Sequence, residues 1–474
     1  SVCAVLLFCL ILLPSGCTEE RSPVQPQSSA LSTLHAEAEV AAAQVVNGFD
    51  WIDESSPDEA SGPATLNADW PDVVEDLQRE VISGDVVHYS ATVRTGPGVY
   101  DRIGIHRVVR ERAPNRPIKS KQALFLLHGD LKNFEGMWLP GQFSPHLPDD
   151  FGLAAFLAQH DVDVWGIDQA WNLIPAWETD FSYMQDWGIQ REASHLDLGV
   201  AVARVARRMT GNGYKPILLL GYSSGAATGY ALINQETQLP PGRRQVNGFI
   251  AADMGVASDD PVWMEVFAAM AAATEELYDS GQYQDALIFR TVAILARDAP
   301  DDPSPFYPGF TNLETVLFFG GGAFLAPALT HYLAPIMEDG FPVGFQFVSL
   351  DQWIDFLENT AAYQPLLFQL QWLWALAGYE VPFDDYLSEV TIPVFDIGGA
   401  GGFAPYTAHT VELLGSRDIT QLHVSVNPPG GQAVDYGHID IFTAWNAPDL
   451  VWRPILDWVT AHSGAGHRGG GQRE

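Results

Sequence analysis

The sequence predicts an α/β fold in which a mostly parallel central sheet carries helices on both faces and a large helical cap is inserted late in the chain. Two observations lead there. Between Ala123 and Asp253, short apolar runs alternate with helical segments, as parallel strands buried on both faces require. Strand character then lapses over residues 261–389, where helical periodicity prevails and aromatics crowd, among them Trp263, Phe267, Phe318, Phe319, Trp353, Trp372 and Trp374. It resumes at Val390. A helical insertion between two strands of such a sheet is expected to cover its carboxyl edge, where these folds bind ligands. A chain of 474 residues with 47% hydrophobic content can bury a large core.

The elements follow in order. Ala4 to Leu13 is an apolar run, too short to span a bilayer, which takes about 20 residues. Pro14-Ser15-Gly16-Cys17 and a polar stretch come next. This start resembles a bacterial lipoprotein signal, in which small residues precede a cysteine that is lipidated. The resemblance implies a signal segment over residues 1–17, lipidation at Cys17, and an exported protein in membrane contact through its N-terminus, on the periplasmic or cell-surface side. Cys3 and Cys9 fall in the part to be removed, and no cysteine follows Cys17. Neither an intramolecular disulfide nor a Cys-ligated metal is then possible. Residues 18–47, polar and then Ala-rich with helical character, read as a tether, and the Gly-rich residues 463–474 as a flexible tail.

The body begins with a hairpin, Val86–Val93 and Ile103–Val109, turning around Gly96-Pro97-Gly98. Ala123 to Leu127 is a buried strand that stops at His128-Gly129-Asp130. The helical stretch Gly152–Gln159, the strand Val162–Ile167 and a helix from Leu196 to Met209 follow. Pro216–Leu220 leads into Gly221-Tyr222-Ser223-Ser224-Gly225 and a helix of small residues, and Val246–Ala252 ends at Asp253. After the cap, strands return at Val390–Phe395 and Gln421–Val426, and Asp449–His462 forms the last helix. The core thus divides into residues 48–260 and 390–462, with the cap over 261–389.

Gly221-Tyr222-Ser223-Ser224-Gly225 fits the G-x-S-x-G elbow, in which a serine sits on a strained turn between strand and helix. Such a serine needs an oxyanion hole and a base. One donor is the backbone N–H after the nucleophile, here Ser224, and the second belongs to the loop after the early strand. The Asp130 amide is assigned there, with His128 as a structural residue of the turn. Position in the chain selects the base from the 13 histidines. His423 lies in a strand, His462 ends the final helix and His467 is in the tail. His438 stands between the last strand and the last helix, where the order Ser, acid, His places it.

These segments together resemble the α/β-hydrolase superfamily. The run His438-Ile439-Asp440-Ile441-Phe442, then Asn446-Ala447-Pro448 and Val451, is similar to the end of the acid (gastric and lysosomal) lipases. The resemblance implies Ser223 as nucleophile, His438 as base and backbone amides near Asp130 and Ser224 as the hole. It also implies an acid after the penultimate strand, but Ile392-Pro393-Val394-Phe395 runs into Gly398, Gly399, Ala400, Gly401 and Gly402. The superfamily's second solution puts the acid after the strand that follows the elbow, which is Asp253. Asp253 is therefore the expected triad acid, with Asp435 and Asp418 as alternatives; capping the first cap helix is the competing role for Asp253.

With 59 acidic and 24 basic residues, a net charge of −35 excludes a nucleic-acid partner, which needs a basic face. No metal, phosphate-loop or dinucleotide motif is present, and no cofactor is expected. The expected function is a carboxylic ester hydrolase, esterase- or lipase-like, acting on a small or lipidic acyl ester through an acyl-enzyme. Amide or thioester hydrolysis by the same residues is one alternative. The other is a hydrolase fold turned binding module, to which the missing acid at Gly402 points.

Overall fold

A computed structural model describes residues 28–52, 71–130, 132–322 and 330–463. Cys17, the signal segment and residues 464–474 of the tail lie outside the described residues, and among those described no helix is long and apolar enough to cross a membrane.

The chain opens its sheet with three antiparallel strands, β1 (Val74–Ser83), β2 (Val86–Arg94) and β3 (Arg102–Ala113), the last of which also pairs the short β4 (Arg116–Pro117). The chain then supplies β5 (Gln122–Leu127), β6 (Val162–Asp168), β7 (Ile217–Tyr222) and β8 (Val246–Ala252). Within the cap lie four short strands, β9 (Gln284–Ala286), β10 (Pro335–Glu338), β11 (Phe341–Phe345) and β12 (Tyr363–Pro365). After it come β13 (Val394–Gly399) and β14 (Ile419–Val424). The main sheet runs β1-β2-β3-β6-β5-β7-β8-β13-β14. All pairs from β6 to β14 are parallel, and β3 meets β6 antiparallel. Buried side chains form one apolar layer on each face, as both-sided helix cover demands.

Two expectations need correction. From Ser28 on, the tether expected over 18–47 is a helix, Ser28–Gly48, packed against helix Ile189–Met209. Ala38, Ala41, Ala42, Val45 and Val46 are buried in the core. Small alanines let the two helices approach, and Glu39 pairs with Arg208 at 2.6 Å. Gln44 then accepts from the Val73 and Val74 amides at 2.9 and 3.1 Å, tying the helix to β1. The second correction concerns the cap, which is not purely helical: β9 pairs with β12 and β10 with β11. Strands of three to five residues carry too few positions for a period-2 pattern to emerge.

Helices Pro261–Asp279, Phe289–Asp298, Asn312–Gly321, Leu350–Glu358 and Leu366–Leu376 make up the rest of the cap. The first is capped by Asp260, whose Oδ1 accepts from the Val262 and Trp263 amides at 2.9 and 3.0 Å. Asp253 is thus free of that role.

Under helix Ser28–Gly48, the wholly buried Asp163 accepts two hydrogen bonds from Arg107 and one from Arg207. The Arg107 guanidinium stands 4.6 Å from the Trp51 ring and 4.9 Å from the Trp165 ring. Removing the carboxylate would leave two buried cations unpaired. Asp163→Ala should therefore destabilise the fold by about 3–5 kcal/mol, read from the midpoint of urea unfolding.

Candidate active site

Each candidate side chain sits where a strand ends. β7 delivers Ser223, β8 delivers Asp253, and the loop after β14 delivers His438. Ser223 has φ 56° and ψ −131°, the strained left-handed turn that lifts Oγ off the sheet edge. The flanking glycines are required by close approach. A Cβ on Gly221 would stand 2.4 Å from the Gly225 carbonyl oxygen, and one on Gly225 would stand 2.3 Å from that of His128.

The structure brings the three residues into one hydrogen-bonded line. His438 Nε2 lies 3.0 Å from Ser223 Oγ, and His438 Nδ1 lies 2.6 Å from Asp253 Oδ2. With Asp253 ionised, Nδ1 carries the proton and donates it, which leaves the Nε2 lone pair facing the serine hydroxyl. The imidazole is wedged between Phe403 and Tyr222, with ring centroids at 4.3 and 4.8 Å. Its backbone is held as well: its N–H donates to the His331 carbonyl at 3.0 Å and its carbonyl accepts from the Tyr222 hydroxyl at 3.1 Å.

Asp253 is 0% exposed, and its carboxylate is gripped by backbone amides. Oδ1 accepts from Gly399 and Ala404, each at 3.0 Å, and Oδ2 from Phe403 at 3.1 Å. These donors lie at the end of β13 and along the Gly-rich loop after it, which sequence reading takes as the vacated place of an acid. That loop is the cradle of the acid from the neighbouring strand. A Cβ on Gly398 or Gly402 would come within 2.1 Å of a carboxylate oxygen of Asp253.

The alternative acids stand elsewhere. Asp435 Oδ1 accepts from the Val426 and Tyr436 amides and Oδ2 from Ser425 Oγ, so it shapes the loop after β14. Asp418 is at the surface, 3.5 Å from His462. Asp396, inside β13, bonds His423 and Gln421 on the next strand.

The proposed oxyanion donors adjoin the elbow. A Cβ on Gly129 would be 2.6 Å from Ser223 Cβ, so the loop after β5 lies directly against the serine. Neither the Asp130 nor the Ser224 amide is spent on a carbonyl in a turn or loop among the described residues. His128 is fully buried; its Nδ1 donates to the Gly129 carbonyl at 2.8 Å and its Nε2 accepts from the Gln169 amide at 3.2 Å. These bonds tie the turn after β5 to the end of β6. The Asp130 carboxylate accepts from Ser224 Oγ at 2.5 Å.

Four residues escaped sequence reading because their partners are distant in the chain or are backbone groups. His331 and Tyr332 offer carbonyls to the His438 and Ile439 amides, so a cap segment braces the base. Asp440, wholly buried, accepts from the Gly437 and Ala334 amides at 2.8 and 2.7 Å, joining the base loop to that segment. Its place two residues after His438 is the only sequence signal. Lys132, 1% exposed, donates to the carbonyls of Phe356 and Asn359 at the end of helix Leu350–Glu358, an amine on a helix C-terminus.

Ser223, His438 and Asp130 open on a cavity of about 140 Å³, roughly ten times what one water molecule needs. Met254, Phe267, Met270, Phe289, Trp372 and Phe403 supply apolar walls. Burial raises the Asp130 carboxyl to about 6 from 3.8, opposed by the Ser224 hydroxyl. Between those two values the folded chain keeps a proton that the unfolded chain has released, so this group removes stability as pH rises through the window. The melting temperature of Asp130→Asn relative to wild type should therefore climb from pH 4 to pH 7. A difference constant with pH would show that Asp130 ionises normally.

No protein-family model matches the chain, and no curated protein matches its sequence. Among solved structures, it superposes on a candidate lipase from Sulfolobus solfataricus with a TM-score of 0.56 at 17% identity, over 82% of this chain and 99% of that one. A candidate aryl esterase from Burkholderia cenocepacia aligns with a TM-score of 0.38 at 13% identity, over 79% and 100%. A candidate non-heme bromoperoxidase from Mycobacterium tuberculosis aligns at 0.39 and 15% identity, over 73% and 93%.

Proposed function

We propose that this chain, which has the α/β-hydrolase fold, is a serine hydrolase that cleaves uncharged carboxylic esters through an acyl-enzyme. The observation that carries the reading is the unbroken line Ser223 Oγ, His438 Nε2, His438 Nδ1, Asp253 Oδ2, opening on an apolar cavity. His438 takes the Ser223 proton at Nε2 as Oγ attacks the acyl carbon. The carbonyl oxygen becomes an oxyanion facing the amides of Ser224 and Asp130, where fixed donors stabilise charge without reorganising. His438 passes the proton to the leaving alkoxide, the alcohol departs, and the acyl group stays on Oγ. Water then loses a proton to His438, attacks the acyl carbon and frees the acid. Asp253 remains ionised throughout, holding the tautomer and balancing the imidazolium.

Serine at the elbow, rather than a carboxylate, favours acyl transfer over displacement at a saturated carbon. The cradle around Asp253 counts against the binding-module alternative, since a loop that clasps the acid is no trace of its loss. The resemblance of residues 1–17 to a lipoprotein signal supports the further reading that the enzyme is exported and lipid-anchored at Cys17. On that reading, Cys17→Ser shifts the protein from the membrane fraction to the soluble one, and persistence in the membrane fraction refutes lipidation.

The test is turnover of p-nitrophenyl esters from acetyl to palmitoyl. Ser223→Ala should abolish it, and a serine-directed phosphonate should label wild type at Ser223. Asp253→Asn should cost about 10³–10⁴-fold in kcat. Gly402→Ala, by displacing the Asp253 carboxylate, should cost about 10²-fold. Ester turnover that survives in Ser223→Ala would sink the proposal.

A further inference from the structure

A second polar cluster lies apart from the cavity, on the hairpin β2–β3 and the short helix Phe134–Trp138 that follows the oxyanion loop. His88 is opposite Val108 and His106 opposite Ser90, so the two imidazoles are diagonal neighbours on one face of the sheet. They are 3% and 5% exposed. His88 Nε2 stands 2.9 Å from His106 Nδ1, and the Phe134 ring is stacked on His106 at 4.5 Å between centroids. Glu135, the residue after Phe134, brings Oε1 to 3.6 Å from His88 Nδ1, with its side chain 43% exposed. Asp168, at the end of β6, brings Oδ2 to 3.2 Å from His106 Nε2 while Oδ1 accepts from the Phe134 amide at 2.6 Å. On β1, Glu80 is the register partner of His88.

Three features set this cluster apart from an ordinary buried network. Carboxylates of Glu80, Glu135 and Asp168 gather around two imidazoles, yet among the described residues no Arg or Lys pairs with any of the three. The buried Nε2 of His106 has no hydrogen bond of ordinary geometry, although Asp168 is beside it. One ligand atom from each of His88, His106 and Glu135 falls within 4.8 Å of the others. Asp168, the buried one of the three, meets only His106 and the Phe134 amide among the described residues, and a cation held by the two imidazoles would balance its charge.

We propose that His88, His106 and Glu135 form a binding site for a divalent first-row transition ion of the zinc class. Imidazole nitrogens select such ions over calcium or magnesium, which take oxygen ligands. Two nitrogens 2.9 Å apart, each about 2.0–2.1 Å from a metal, subtend about 90° at it. That angle suits a five- or six-coordinate ion completed by water on the exposed Glu135 side. Asp168 is the positioning residue: its carboxylate, 3.2 Å from His106 Nε2, favours the proton on that nitrogen by charge. Only a small ring rotation is needed to align the bond and leave Nδ1 free to ligate. Binding then requires His88 Nε2 to be unprotonated, with the ring proton on Nδ1. The bound ion joins the hairpin to the helix after the oxyanion loop, a structural part independent of the hydrolytic reading.

The test is titration of the full chain, stripped with a chelator and then dialysed, with ZnCl2 in excess MgCl2 to saturate the acidic surface. One equivalent of zinc per chain is expected, with Co2+ giving a visible d–d spectrum of nitrogen and oxygen ligation. Asp168→Asn should weaken binding about 10–100-fold. Glu135→Gln, a change at a half-exposed position that the fold tolerates, should weaken it at least as much. No saturable binding in excess Mg2+, or binding unchanged in Glu135→Gln and Asp168→Asn, would overturn the proposal.

Discussion

Asp253 carries the charge around which the site is arranged. Its carboxylate is fully buried, and a buried carboxylate is tolerated only when its lone pairs meet donors. Three backbone N–H groups and one imidazole meet them. Backbone donors can converge so closely only if the surrounding chain has no side chains in the way. That requirement accounts for the glycines at 398 and 402, and for the pairing of β8 with β13 that sets the loop beside the acid.

The same carboxylate decides the state of His438. Pinned at Nδ1, the ring has one tautomer and one orientation, and Phe403 and Tyr222 remove its remaining freedom. The cap takes part in this. Its His331–Tyr332 segment is hydrogen-bonded to the backbone of the base, and Asp440 ties both together. The cap segment and the loop that carries His438 are thereby held together. Lys132 adds a second tie between core and cap beside the oxyanion loop. Covering the polar Ser223–His438–Asp253 line with a partly apolar roof also strengthens each charge-assisted contact beneath it.

Much of the site was legible in the chain because its logic is local. A strand, a turn of small residues and a helix are contiguous, so Gly221 to Gly225 announces Ser223, and the position of His438 between the last strand and the last helix follows from order alone. Less legible were the parts built from distant segments. The Ala-rich run of helix Ser28–Gly48 looks solvated until helix Ile189–Met209 is set against it, since alanines show no strong apolar stripe. The short cap strands are created by their partners, as cross-strand pairing rather than composition defines them. His88 and His106, eighteen residues apart, carry no spacing motif; the hairpin register makes them neighbours.

By itself the sequence determined the class of fold, the Gly-Ser turn at Ser223, the chain order of Ser223, Asp253 and His438, and a net charge of −35. Those properties reside in short contiguous patterns or in sums over the chain. Only the tertiary structure decided that the Gly-rich loop after β13 clasps an acid from the adjacent strand, that the cap braces His438, and that the first described helix belongs to the core. Each of these is a meeting of groups far apart in the chain. What settles them is the cost of leaving a buried charge or a buried N–H without a partner, which becomes visible only when the partners are in place.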